Sequence, residues 1–145
     1  MNKLTDISVM VEVLSRIYHR LRKEVNGQLV NEDLSMSKMK ILHLITTGKT
    51  SATDIKNYMG FSSRTVVTVL DALEKDEMLQ RHQSLTDRRV KYVYITEKGR
   101  KKLRIAEQTH KIILNRIFSQ LSEMQLKNFS EVCNVLESQQ KQQGL

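Results

Sequence analysis

The sequence predicts a mostly α-helical fold with one small β-hairpin. Three observations predict it. Apolar residues recur every three or four positions over most of the chain, the period of an amphipathic helix. One stretch near residues 78–95 breaks that period with β-branched and aromatic residues, as strands prefer. There is no proline, and the five glycines act as punctuation between periodic segments.

Length and composition bound the answer further. At 145 residues and 39% hydrophobic content, the chain suits a single domain, read here as 1–145. A disordered tail and a disulfide scaffold are excluded, the latter because Cys133 is the one cysteine. No apolar run approaches the ~18 residues that span a bilayer, so no membrane partner is expected. Residues 1–10 carry Lys3 and Asp6 and lack the apolar core of a signal peptide. A reducing cytoplasm is the expected setting.

The first helix is expected over about residues 4–30, with Leu4, Ile7, Val11, Leu14, Tyr18, Leu21 and Val25 on one face and Gly27 loosening its last turn. Ser35 or Ser37 can cap a second, with Met39, Leu42 and Ile45 inward and a stop near Gly48. Ser51 to Asp54 resembles a capping box for a short third helix, with Ala52, Ile55 and Met59 inward and Gly60 closing it. The fourth runs from about Ser62 to Asp76, with Val66, Leu70 and Leu73 inward. Strands are expected at 78–82 and 90–95, joined by the polar loop 83–89. Thr96 can cap a fifth helix reaching residue 120, with Leu103, Ala106, Ile113, Ile117, Phe118 and Leu121 apolar. Ser122 to Gln125 is a capping box for a sixth, whose stripe is Leu126, Phe129, Val132, Cys133 and Leu136. Cys133 is read there as a buried structural thiol. Met36, Met39, Met59 and Met78 are read as core.

Two short helices around a glycine turn, followed by a hairpin with a basic tip, form a winged helix-turn-helix pattern. The charge agrees with it. The net charge is +8, yet residues 1–35 and 105–145 are each neutral, so the whole excess lies in 36–104. Charge alone leaves nucleic acid, an anionic surface and simple solvation open. The long end helices, 4–34 and 97–140, suit a dimerisation layer around the 36–96 module, because two copies match a palindromic duplex. An intramolecular bundle is the other solution.

Three motifs carry a resemblance. They are Ser63-Arg-Thr-Val-Val-Thr-Val-Leu-Asp-Ala-Leu-Glu-Lys75, Asp87-Arg-Arg89 and Ile95-Thr-Glu-Lys-Gly99. In that order and spacing the chain resembles the MarR family of winged-helix transcriptional regulators, over essentially its whole length. The family commonly has Thr-Arg where Val67-Thr68 stand, a small residue at Arg64, and glycine at Glu77. The resemblance implies a homodimer reading a pseudo-palindromic double-stranded operator. It further implies a repressor released by a small molecule, often phenolic or lipophilic, whose identity and pocket residues the sequence does not name.

Within that frame the fourth helix presents Arg64, Thr68, Asp71 and Lys75 opposite its apolar face. Ser62, Ser63 and Thr65 stand at its N-terminus, where hydroxyls and free N–H groups suit phosphate or base contacts. Arg64 can bind guanine bidentately or hold a phosphate. In the wing, Asp87 orients arginine, and Arg88 and Arg89 can enter a minor groove. Arg81, His82 and Lys91 flank it, within reach of phosphates. Asp71 is expected to pair with a neighbouring base. No catalytic residue, cofactor or metal site is expected: the four histidines are scattered and no Gly-rich phosphate loop is present. A protein-interaction or RNA-binding winged helix, and a thiol- or metal-responsive member of the same family, are the alternatives.

Overall fold

The computed structural model describes residues 3–142. Their elements are α1 (Lys3–Leu29), a 3-10 turn (Val30–Glu32), α2 (Met36–Thr46), α3 (Ala52–Met59), α4 (Ser63–Lys75), β1 (Leu79–Gln83), β2 (Lys91–Ile95), α5 (Glu97–Phe118) and α6 (Glu123–Gln142). The expected mostly helical fold with one hairpin is the observed one. Two compact units divide the chain, Met1–Lys111 and Ile112–Leu145. Among the described residues no helix is long and apolar enough to cross a membrane.

Local capping explains where helices α2 to α5 begin. Ser35 Oγ accepts from Lys38 N at 3.2 Å, Ser51 Oγ from Asp54 N at 3.1 Å, Ser62 Oγ from Thr65 N at 3.1 Å and Thr96 Oγ1 from Gly99 N at 3.0 Å. Each satisfies one N–H that the first helical turn cannot. Of the two serines that could cap α2, Ser35 does so. Asn26 Oδ1 accepts the Met36 N–H as well, at 2.8 Å.

The ends are set by left-handed residues. Gly60 closes α3 with φ 69°. Gly27 lies inside α1 and does not stop it. The chain turns at Asp33, with φ 58°, where Leu34 N donates to Leu29 O at 3.1 Å. Glu77, just past α4, has φ 61°. Glu77 N donates to Glu74 O and Met78 N to Leu73 O, at 3.0 and 2.9 Å, the paired bonds of a Schellman motif. Met78 and Leu73, both fully buried, make its apolar closure. A side chain at this backbone angle costs about 1 kcal/mol. Glu77→Gly is therefore expected to raise unfolding stability by about 1 kcal/mol, seen as a higher urea midpoint at unchanged slope and equal protein concentration.

The core of this unit gathers Leu21, Val25 and Leu29 of α1, Met39, Ile41, Leu42 and Ile45 of α2, Ile55, Val66, Leu70, Leu73, Leu79, Val93, Leu103 and Ala106, all buried. Burying each large side chain stabilises by roughly 1.5–3 kcal/mol. Ala52 corrects an expectation: it is exposed. In a two-turn helix centred on Ile55, the residue three positions earlier lies ~60° off the inward direction. Strands β1 and β2 pair antiparallel from Leu79↔Ile95 to Gln83↔Lys91, each beginning one residue later than expected. Ser51 bridges to Tyr92, and Val93 N donates to Thr50 O at 2.7 Å, which ties the wing to the start of α3.

Toward its N-terminus the α1 stripe is uncovered: Ile7, Val11, Leu14 and Tyr18 are exposed, and Leu4 lies outside the described side chains. In the second unit, Ser122 and Gln125 form both halves of the capping box: Gln125 N donates to Ser122 Oγ at 3.1 Å and Ser122 N to Gln125 Oε1 at 2.9 Å. Phe118 and Phe129 stack at 6.0 Å between ring centroids. Helix α5 ends at Phe118, two residues early. The α6 stripe of Leu126, Phe129, Val132 and Leu136 is exposed along its length. Cys133 is exposed too, against expectation. Periodicity identifies the apolar face of a helix; burial also requires a surface laid against it.

Candidate nucleic-acid interface

Helix α4 buries Val66, Leu70 and Leu73 and turns Arg64, Thr68, Asp71 and Lys75 to solvent. Ser62, Ser63 and Thr65 are exposed at its N-terminus. The Ser62 hydroxyl already caps the helix and lies 2.9 Å from Thr65 Oγ1. The Ser63 and Arg64 N–H groups precede the first intrahelical bond, so they face outward at the positive end of the helix dipole. Thr68 Oγ1 donates back to Arg64 O at 2.9 Å.

The wing is joined to this helix by charge. Arg81 Nη1 of β1 lies 2.7 Å from Asp71 Oδ1 and 3.5 Å from Glu74 Oε1, with the arginine side chain only 22% exposed. Asp71 thus has the basic partner expected for it, and Arg81 is engaged with α4 rather than free. His82 rests against the Tyr94 ring, centroids 5.4 Å apart.

At the wing tip, Ser84 Oγ accepts from Thr86 N and Asp87 N, at 3.2 and 3.3 Å, and Val90 N donates to Asp87 O at 3.0 Å. Asp87 Oδ1 accepts Arg89 N at 3.0 Å and Arg89 Nε at 3.2 Å. The Arg89 side chain first, and its N–H second, hold the Asp87 carboxyl below the usual carboxylate range. Arg89 is therefore aimed while remaining 90% exposed on its side chain. Arg88 and Lys91 are exposed beside it. The residues singled out from the sequence lie on α4, at its N-cap and on the wing.

A second feature had no signature in the sequence. A cavity of about 620 Å³ is lined by residues of α1, α2, α3 and α5, Tyr18, Arg22, Met39, Lys40, Tyr58 and His110 among them. Met36 and Met59, read as core, line it too, and Met59 is only half-buried. Polar bridges cross between α2 and its neighbours at this cavity. Lys40 Nζ donates to Tyr18 Oη at 3.0 Å, Arg22 Nη2 to Ser37 Oγ at 3.3 Å, and His43 Nδ1 lies 2.9 Å from Glu107 Oε1. Burial, and then the Lys40 ammonium, push the His110 pKa down, against a smaller pull from Glu107. These groups are far apart in sequence, so no local motif could announce them.

A helix-turn-helix whose second helix is exposed beside a basic hairpin defines the winged-helix class of proteins. The MarR family model matches residues 34–91. The HTH-type transcriptional regulator MhqR of Bacillus subtilis (strain 168) is 31% identical over 121 residues, covering 83% of this chain and 83% of that protein. The chain belongs to the MarR family and is a DNA-binding transcriptional regulator. A mutant MarR from E. coli complexed with operator DNA superposes with a TM-score of 0.79 at 14% identity, over 94% of this chain and 99% of that one. CouR from Rhodococcus jostii RHA1, bound to p-coumaroyl-CoA, gives a TM-score of 0.72 at 22% identity, over 86% and 88% of the two chains. At those identities the likeness is one of fold.

Proposed function

We propose that this regulator is a cytoplasmic homodimeric repressor, without catalytic activity, that reads a pseudo-palindromic operator and leaves it when a small molecule occupies the α1–α2–α3–α5 cavity. Residues 36–96 are the reading module, and helices 4–34 and 97–140 dimerise. The observation that carries the reading is the joint exposure of Arg64 on α4 and the Asp87-oriented Arg89 on the wing. Helix α4 enters a major groove, and Arg88 and Arg89 enter the adjacent minor groove. Ser62, Ser63, Thr65, Thr68, Arg81 and Lys91 hold the backbone or flank the bases.

The cavity supports release. Its aromatic and methionine walls, with Arg22 and Lys40 beside them, suit an aromatic compound bearing an acidic group. Such a ligand competes for the Lys40–Tyr18 and Arg22–Ser37 bonds that tie α2 to α1. It shifts the module only as far as it binds the two arrangements unequally.

Anisotropy titrations on a duplex selected from random sequence test the DNA reading. Arg89→Ala is expected to weaken binding to every duplex and to flatten the salt slope by about 0.9 for each phosphate no longer neutralised. Arg64→Ala is expected to cost about 1–3 kcal/mol on the best site and to relax preference at one position per half-site. No preference for any duplex over competitor DNA near physiological salt would sink the proposal.

A further inference from the structure

We infer that Val67 reads the 5-methyl group of a thymine in each half-site. The inference rests on α4 being the reading helix and goes beyond it by assigning a base and the atom recognised. Val67 is 48% exposed, one helical turn from Arg64 and one from Asp71. Valine is a poor helix former, so an exposed position in mid-helix gains nothing locally from it. It has no donor or acceptor, so it serves neither a phosphate nor a polar base edge. The apolar group that a base pair offers in the major groove is the thymine methyl.

The surroundings of Val67 fit that group. Thr68 spends its hydroxyl proton on Arg64 O, at 2.9 Å, which leaves its methyl as the apolar companion to Val67. On its other side Val67 borders an open hollow of about 240 Å³ lined by the apolar Ala52, Leu70 and Val93, with Lys91 and the Asp71-paired Arg81 beside them. Three residues along a helix advance ~4.5 Å, and successive bases lie ~3.4 Å apart. The thymine therefore stands one or two base steps from the base that Arg64 meets.

The test compares a selected operator with versions in which single thymines become deoxyuridine, which removes the methyl and nothing else. For the wild-type protein, affinity is expected to fall about fourfold at one position of a half-site, the burial of a single methyl, and about 15-fold when both half-sites are changed. Val67→Ala, which improves helix propensity and leaves the core untouched, is expected to bind the thymine and uracil duplexes equally. Sensitivity that persists unchanged in Val67→Ala overturns the inference, as does wild-type indifference to uracil at every position. Failure of the wild-type protein to prefer any duplex overturns the reading of α4 itself, and this inference with it. Selected binding without a uracil effect overturns only this inference.

Discussion

Gly99→Ala is expected to destabilise the protein by about 3 kcal/mol, lowering the melting temperature by roughly 6–12 °C. Gly99 is buried in the first turn of α5, where it ends the run Ile95-Thr-Glu-Lys-Gly99. A Cβ at this position would overlap Met78 O and stand 2.8 Å from Ile95 Cγ1. The first obstacle is backbone and cannot rotate away. Met78 O accepts from Thr96 N at 3.0 Å, and Met78 N closes the Schellman motif after α4, so the carbonyl is held from both sides. Relief requires either moving α5 off the α4–β1 turn or breaking those bonds. Lys98→Ala, one residue away and exposed, is the control and is expected to stay within about 0.5 kcal/mol. A Gly99→Ala midpoint indistinguishable from the control would show that the approach yields cheaply.

The second large effect concerns assembly. Leu136→Glu is expected to turn a dimer into a monomer and to reduce operator affinity by at least about 100-fold, because the second half-site is no longer engaged from a tethered partner. Leu136 is exposed in α6, in line with Leu126, Phe129 and Val132. A stripe of this extent on a single helix marks an association surface. Since Leu136 is not buried within the chain, the charge is not expected to unfold it. Far-UV circular dichroism should be retained while sedimentation equilibrium reports half the mass. A variant that stays dimeric at nanomolar concentration with full affinity would remove α6 from the interface.

Much of this fold was legible because its punctuation is local. A serine or threonine cap acts within three residues, and so Ser51, Thr96 and Ser122 marked helix starts from sequence alone. The hairpin was legible because β-branched and aromatic residues crowd 90–95 between polar turns. What depends on a distant surface was not. Ala52 and Cys133 fall on apolar periods yet face outward, since a period carries no information about what covers it. In the site, the sequence showed Arg64 and the Asp87–Arg89 pair, the latter being two residues apart. It did not show that Arg81 reaches across the α4–β1 turn to Glu74 as well as Asp71. The cavity was illegible for the same reason: Tyr18 and Lys40, or His43 and Glu107, meet only after four helices have packed.

The Arg81–Asp71 pair has a consequence for how such a regulator changes target over generations. Because β1 is latched to the flank of α4, the spacing between the proposed reading helix and the wing tip is held by a salt bridge inside the protein. Exposed positions such as Arg64 and Val67 can then be exchanged one at a time without shifting the wing's footing on the duplex. New operators become reachable through single substitutions, each keeping the grip while the preference drifts. A change at Asp71 or Arg81 has no such freedom, since it alters the spacing between helix and wing on every site at once.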